Sequence, residues 1–246
     1  MNNVLNIAHR GASAYAHENT IEAIEKAIEL GADMVEFDLR CTADGAIVLW
    51  HDEKVNRGKG KPIPVSNMTL DELHAHAGER GFGVARFDEV LMQFGHRIAF
   101  DIEIKATGFE EEIIALLRRY PPVFPPVIAS FLPEVIDRTK KLDGKIMTAL
   151  VVSRSSLIKS GFRSLSAIKR LAVKTGANSV HLNLKIASAS IIKELTDLGF
   201  GLYIWTVNDE IDMKKLIRAG VNGIVTDKPD LLNSVRENMI LTGQIL

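Results

Sequence analysis

Glu29-Leu30-Gly31-Ala32-Asp33-Met34-Val35-Glu36-Phe37-Asp38-Leu39-Arg40 (residues 29–40) reads as a helix end, a turn and a buried strand. Glycine just past the last helical residue supplies the left-handed conformation that closes a helix. The strand that follows carries Val35, Phe37 and Leu39 on one face and Glu36 and Asp38 on the other, because side chains alternate along a strand. The same phrase recurs as Thr175-Gly176-Ala177-Asn178, Leu198-Gly199-Phe200-Gly201 and Ala219-Gly220-Val221-Asn222, and Gly144 also follows a helical stretch. Helical periodicity marks Asn19–Leu30, with Ile21, Ile24, Ala27 and Ile28 on one stripe, and likewise Ser190–Leu198 and Asp209–Ala219. Between such stretches lie eight strand candidates: Leu5–His9, Met34–Arg40, Ile98–Ile104, Val127–Phe131, Lys145–Val152, Ser179–Leu184, Gly201–Val207 and Gly223–Asp227. Alternating strands and helices imply a parallel sheet. A chain of 246 residues matches the roughly 250 of a closed (β/α)8 TIM barrel. An open doubly wound sheet would want a phosphate-cradling glycine loop after its first strand, and His9-Arg10-Gly11-Ala12-Ser13-Ala14 is not one.

The reading is therefore an α/β chain forming a single TIM-barrel domain over 1–246, with one excursion. Residues 53–86 hold Gly58, Gly60, Pro62, Pro64, a helical phrase Thr69–His76 and Gly78, Gly81 and Gly83, and form an insertion after the second strand. Ala46–Trp50 is a small extra strand leading into it, and Asp88–Phe94 the helix after it. The prolines of 121–126 stiffen the connection before the fourth strand. Thirty basic and 31 acidic residues give a formal charge of −1, which argues against a nucleic-acid partner held by a basic face. The single Cys41 excludes an internal disulfide and a thiolate cluster. No apolar run approaches the roughly 18 residues of a membrane span, and Asn2, Asn3, Asn6 and His9-Arg10 interrupt any signal-peptide core. A soluble cytoplasmic protein without a stable membrane anchor is expected.

Barrel enzymes build their sites at the C-terminal ends of the strands, and unusual polar residues gather there. The first strand ends His9-Arg10, the second carries Glu36 and Asp38, the third Glu103 and Lys105, the fourth Ser130-Phe131 and the seventh Trp205-Thr206. Carboxylates converging in a barrel mouth repel one another and lose solvation. A hard divalent cation, Mg²⁺ or Ca²⁺, relieves them; an ion-pair network with Lys105 and Arg10 is the alternative. His9 and His51 sit at strand ends, where two imidazoles can serve as general base and general acid near neutral pH. Phe131 and Trp205 could wall a substrate pocket or belong to the core. His74 and His76 fall in a polar helical phrase and are expected at the surface. Neither a G-x-S-x-G elbow nor a His-Glu-x-x-His motif occurs.

Taken in order, these residues resemble the glycerophosphodiester phosphodiesterase family. The likeness runs through His9-Arg10-Gly11, Glu18-Asn19-Thr20, Glu36-Phe37-Asp38, Asp44-Gly45, His51-Asp52, Thr69-Leu70-Asp71-Glu72-Leu73 and Ile102-Glu103-Ile104-Lys105. It continues through Ser130-Phe131, Trp205-Thr206-Val207-Asn208 and Thr226-Asp227-Lys228-Pro229. Any one triplet is weak, but the ordered set at these spacings is specific. The resemblance implies a barrel with a small insertion, a divalent ion, and hydrolysis of glycerophosphodiesters to glycerol 3-phosphate and an alcohol. It also implies Glu36, Asp38 and Glu103 as metal ligands, His9 and His51 as the acid/base pair, and Arg10 and Lys105 as holders of the phosphate. Two departures stand out: His17 where the family usually has proline, and Asn56-Arg57-Gly58-Lys59-Gly60 without the usual threonine pair. The nucleophile is either water or the neighbouring glycerol hydroxyl through a cyclic phosphate, and both routes stay open. A lysophospholipase D-type phosphodiesterase and a non-catalytic phosphodiester-binding protein are the competing readings. The first needs an apolar groove for an acyl chain; the second expects losses among the acids or histidines, and none is seen.

Overall fold

The computed structural model describes residues 4–56, 58, 60–159 and 165–244. The strands are β1 (Leu5–His9), β2 (Met34–Cys41), β3 (Ile47–Leu49), β4 (Lys54–Val55), β5 (Ile63–Pro64), β6 (Ala99–Ile104), β7 (Val127–Ser130), β8 (Met147–Val152), β9 (Ser179–Asn183), β10 (Gly201–Trp205) and β11 (Gly223–Thr226). Eight of them close a parallel barrel in the order β1-β2-β6-β7-β8-β9-β10-β11, with β11 pairing back onto β1. The helices are α1 (Ile21–Glu29), α2 (Leu70–Gly78), α3 (Phe87–Phe94), α4 (Glu110–Arg119), α5 (Pro133–Leu142), α6 (Arg154–Lys159), α7 (Leu165–Thr175), α8 (Ala189–Asp197), α9 (Glu210–Arg218) and α10 (Pro229–Leu241). None of the helices among the described residues is long and apolar enough to cross a membrane.

The recurrent helix–glycine–strand phrase sets this repeat. Gly31, Gly176, Gly199 and Gly220 all have φ between +67° and +82°, which costs a residue without Cβ nothing. Gly144 differs. Among the described residues it is not left-handed, and the Asp143 carboxylate closes that turn by accepting the Lys145 amide at 3.1 Å. Ile146 is consequently still in the turn, and β8 begins at Met147 rather than Lys145. Other strands end one or two residues before the apolar sequence does. Leu184 starts a 3-10 turn capped by Asn183, and Phe131 and Val207 lie beyond the last ladder pairs, Phe131 at the barrel mouth and Val207 in the core.

Strand alternation separates core from site. Val35, Phe37 and Leu39 of β2, with Phe100, Ile102 and Ile104 of β6, are fully buried beneath the helix layer. Each contributes about 1.5–3 kcal/mol on burial, and that packing carries the opposite, inward face. Small and branched residues, among them Ile7, Ala129, Ala149 and Val151, fill the barrel interior together with Met34.

The insertion has its own apolar cluster of Val48, Val55, Val65, Met68, Leu73, Ala77 and Val84. Thr69 caps α2, accepting from the Glu72 amide at 3.3 Å while Glu72 takes the Thr69 amide at 2.9 Å. His74 is exposed, but His76 is buried beneath this cap, with Arg80 at 2.8 Å from its Nδ1. The expectation that both lie at the surface fails for His76, because its helix face turns toward the insertion's core rather than away from the barrel. Arg57 and Lys59 of the threonine-less segment lie outside the described residues.

Candidate active site

Beyond His9 the chain turns sharply. Arg10 has φ +55° and Gly11 +82°. A Cβ on Gly11 would meet the Ala23 carbonyl carbon at 2.5 Å, so the turn rests directly on α1. This turn aims the Arg10 amide at Glu36 Oε2 (2.9 Å) and brings its guanidinium to Glu18 (2.8 Å) and Asp38 (3.2 Å). Asn19 is the second left-handed non-glycine residue, at φ +59°. It accepts from the Asp38 amide at 3.0 Å and donates to Asp38 Oδ2 at 2.9 Å. Such backbone strain costs about 1–3 kcal/mol per residue and persists only where surrounding contacts over-determine it; both instances among the described residues face the same carboxylates.

Register brings the acids together. Glu36 pairs with Asp101 and Asp38 with Glu103 across β2 and β6, and His9 pairs with Glu36 across β1 and β2. One oxygen from each of Glu36, Asp38 and Glu103 lies within 4.8 Å of the others, all three residues being buried. Lys105 Nζ reaches Glu103 at 2.5 Å and Asp38 at 2.8 Å. Burial, reinforced by Asp38 and Glu103, pushes the Glu36 carboxyl well above the usual range. Burial also raises Glu103, against the pull of Lys105. For Asp38 burial acts the same way, but Lys105, Arg10 and His51 outweigh it and hold its carboxyl low. Lys105 is held high, its burial overcome by Glu103, Asp38 and Glu36. Arg10 is shared between Asp38 and Glu18, so Lys105 and Arg10 do not fully offset the buried acids. An all-oxygen, buried acidic set of this kind fits a hard divalent ion, and the ion pairs expected as its alternative are present on the same residues.

His51 reaches the mouth because β3 folds back antiparallel on β2. Leu49 pairs with Leu39, the Trp50 amide donates to the Asp38 carbonyl (2.9 Å), and Arg40 Nε donates to the His51 carbonyl (2.9 Å). Each histidine is backed by a carboxylate: His9 Nδ1 donates to Asp227 at 2.6 Å and His51 Nδ1 to Asp52 at 2.8 Å. A carboxylate partner fixes the proton on Nδ1 and leaves Nε2 as the working nitrogen. Burial, with Lys105 and Arg10, lowers the His51 pKa despite Asp38. Asp227 also accepts from Ser13 (2.9 Å) and Asn208 (2.5 Å). Burial would raise its pKa, but the hydrogen bonds from His9, Asn208 and Ser13 prevail and bring it to about 2.

His9, Arg10, Glu36, His51, Glu103 and Lys105 line one cavity of about 110 Å³ together with Phe131 and Trp205. The two aromatic rings meet edge to face at 5.6 Å, and Lys105 Nζ sits 5.7 Å from the Phe131 ring. Lower in the barrel, Asp101 and His181 line the same cavity. Beside it, past His51, opens a cleft of about 550 Å³ walled by His17, Trp50 and Phe82. There His17 stacks on Phe82 with centroids 3.5 Å apart and planes 11° from parallel, so the residue that replaces the usual proline joins the loop after β1 to the insertion.

Asn19, Asp52 and Asp227 carried no individual role in the sequence reading, although each lay inside a quoted motif. Asp227 meets His9 only across the closed barrel and Asn19 meets Asp38 only across a helix and a strand, whereas Asp52 stands next to His51 and adjacency alone pointed to it. Asp101 and His181 stood in strands with no motif to single them out as a pair.

The profile of the glycerophosphoryl diester phosphodiesterase family matches residues 9–231. A glycerophosphodiester phosphodiesterase of Caldanaerobacter subterraneus is 32% identical over 94% of this chain and 97% of its own. The crystal structure of a glycerophosphodiester phosphodiesterase from Thermotoga maritima superposes with a TM-score of 0.79 at 25% identity, covering 95% of this chain and 99% of that one. An Oleispira antarctica phosphodiesterase solved with the product sn-glycerol 3-phosphate superposes with a TM-score of 0.79 at 24% identity, over 94% and 96% of the two chains. A barrel whose inward acids, strand-end histidines and insertion follow one another in this order, matched from the first histidine to the last helix, belongs to the glycerophosphoryl diester phosphodiesterase family.

Proposed function

We propose that this chain hydrolyses glycerophosphodiesters to glycerol 3-phosphate and the free alcohol, with His9 and His51 moving the protons. The observation that carries the reading is the convergence of three buried acids, two cations and two carboxylate-backed histidines, all but Asp38 lining one cavity. Glu36, Asp38 and Glu103 would hold a divalent ion, which supplies positive charge against the phosphodiester and its developing negative charge when bound. Arg10 and Lys105 add fixed charge beside the phosphate oxygens, and their ion pairs with Asp38 and Glu103 keep them pointing inward.

His9, anchored at the barrel mouth by Asp227, takes the proton of the attacking hydroxyl at Nε2. His51, beside the larger cleft, delivers a proton from Nε2 to the departing alkoxide. Its lowered pKa makes the protonated ring the stronger acid. Phe131 and Trp205 wall the substrate side of the cavity. Release of glycerol 3-phosphate from glycerophosphocholine with Mg²⁺ or Ca²⁺, run beside a chelated control, tests the reading. Binding of the diester without any turnover would support the non-catalytic alternative instead.

A further inference from the structure

We infer that Asp101 and His181 form a polar floor beneath the phosphate site that takes free hydroxyl groups of the glycerol moiety. Asp101 is 0% and His181 3% exposed. Both Asp101 carboxyl oxygens and His181 Nε2 have no hydrogen-bond partner among the described residues. The two side chains approach each other only to 3.5 Å, from Nδ1 to Oδ2, too far for a good hydrogen bond. Buried polar atoms in folded proteins are nearly always paired, and each one left without a partner costs about 1–3 kcal/mol. Three such atoms on one cavity wall therefore call for a ligand with hydroxyl chemistry.

The position suits glycerol. Asp101 lies level with Glu36 and one register step below Asp38 and Glu103, and His181 approaches it from the far side of the ring on β9. Ala129, Val151 and Val225 line the same cavity and leave it about 110 Å³. A single water needs only some 10–15 Å³ on that measure, so a three-carbon polyol fits beneath a phosphate. A hydroxyl can donate to the Asp101 carboxyl and share its remaining valence with His181 Nε2. His181 is held neutral by its burial, which brings its pKa to about 3, so the ring offers one donor and one acceptor nitrogen. The backbone carbonyl of His181 accepts from Trp205 Nε1 at 3.1 Å, linking this floor to the aromatic wall above it. The leaving alcohol, by contrast, faces the wide cleft beyond His51.

The inference rests on the proposed function for the orientation of the phosphodiester, and a binding comparison separates the two. Calorimetry on the Mg²⁺-supplemented protein would compare glycerol 3-phosphate with n-propyl phosphate, which keeps the phosphate and chain length but has no hydroxyls. The wild type is expected to prefer glycerol 3-phosphate at least tenfold. Asp101→Leu combined with His181→Phe should bring that ratio to near one with n-propyl phosphate affinity kept, and Asp101→Asn alone should retain part of it. A wild-type ratio near one overturns the inference without any variant, and so does an undiminished ratio in a folded double variant. Discrimination without turnover of glycerophosphocholine would leave the floor supported and defeat the hydrolytic reading alone.

Discussion

Replacing Asp227 by asparagine tests the histidine geometry and has a magnitude that can be worked out. Asp227 Oδ1 accepts from His9 Nδ1 and from Ser13, and its other oxygen from Asn208. These bonds bring its pKa from 3.8 to about 2, a difference worth roughly 2 kcal/mol of stability. Its side chain is 28% exposed, and screening reduces the figure to about 1–1.5 kcal/mol. The sign follows from a depressed folded-state pKa: the contribution is complete above the unfolded value and is lost as pH falls toward 2. Asp227→Asn should thus lower the urea-unfolding free energy by about 1–1.5 kcal/mol at pH 7, and by roughly half of that at pH 3. Asparagine also offers His9 an amide in place of an acceptor-only partner, so the ring loses its enforced tautomer. Turnover of glycerophosphocholine should fall by about 10² or more with bound metal unchanged by elemental analysis. Wild-type turnover, or a stability gap equal at both pH values, would refute the assignment of Asp227 as the group that orients His9.

Glu36→Gln should weaken metal binding and activity together, and full activity after exhaustive chelation with metal content checked would sink the metal reading. His51→Ala should lose far more activity on glycerophosphocholine than on an activated aryl diester, whose leaving group departs unprotonated, whereas His9→Ala should lose about 10² or more on both. Equal losses for His51→Ala on the two substrates would make it the base or a mere phosphate contact. Asn19→Ala removes two buried hydrogen bonds to Asp38 and should cost about 2–4 kcal/mol in denaturant titration, along with metal affinity; an unchanged unfolding midpoint would deny Asn19 its supporting role.

Much of this arrangement was legible because strand alternation is local. Glu36 and Asp38 had to share a face once Val35, Phe37 and Leu39 were given to the helix layer, and the positive-φ glycines at 31, 176, 199 and 220 marked where each unit restarted. Strand ends were less legible: Phe131 and Val207 continue the apolar pattern after the regular ladder has stopped, Phe131 because it packs against Trp205 and Val207 because it is buried in the core. Pairings across the barrel were illegible for a different reason. His9 and Asp227, or Asp101 and His181, meet only once the ring has closed, and nothing in the periodicity of β1 or β6 alone foretells it. His76 shows the local limit of the same kind, since the insertion's private core, invisible in a short polar phrase, decides which side of α2 is inside.

The contact between His9 on the first strand and Asp227 just past the last joins residues 218 apart in sequence. Further polar contacts between the start of the chain and the last helix reinforce it: Asn6 Nδ2 donates to the Pro229 carbonyl at 2.7 Å, and Arg236 pairs with Asp33 at 2.6 Å. The base proposed for the reaction is therefore oriented only once the strand preceding Asp227 has joined the first one. A chain truncated before β11, or one still emerging from the ribosome, carries all three acids and both histidines yet has no oriented His9. On the proposed mechanism, proton transfer at His9 is tied to closure of the ring between β1 and β11.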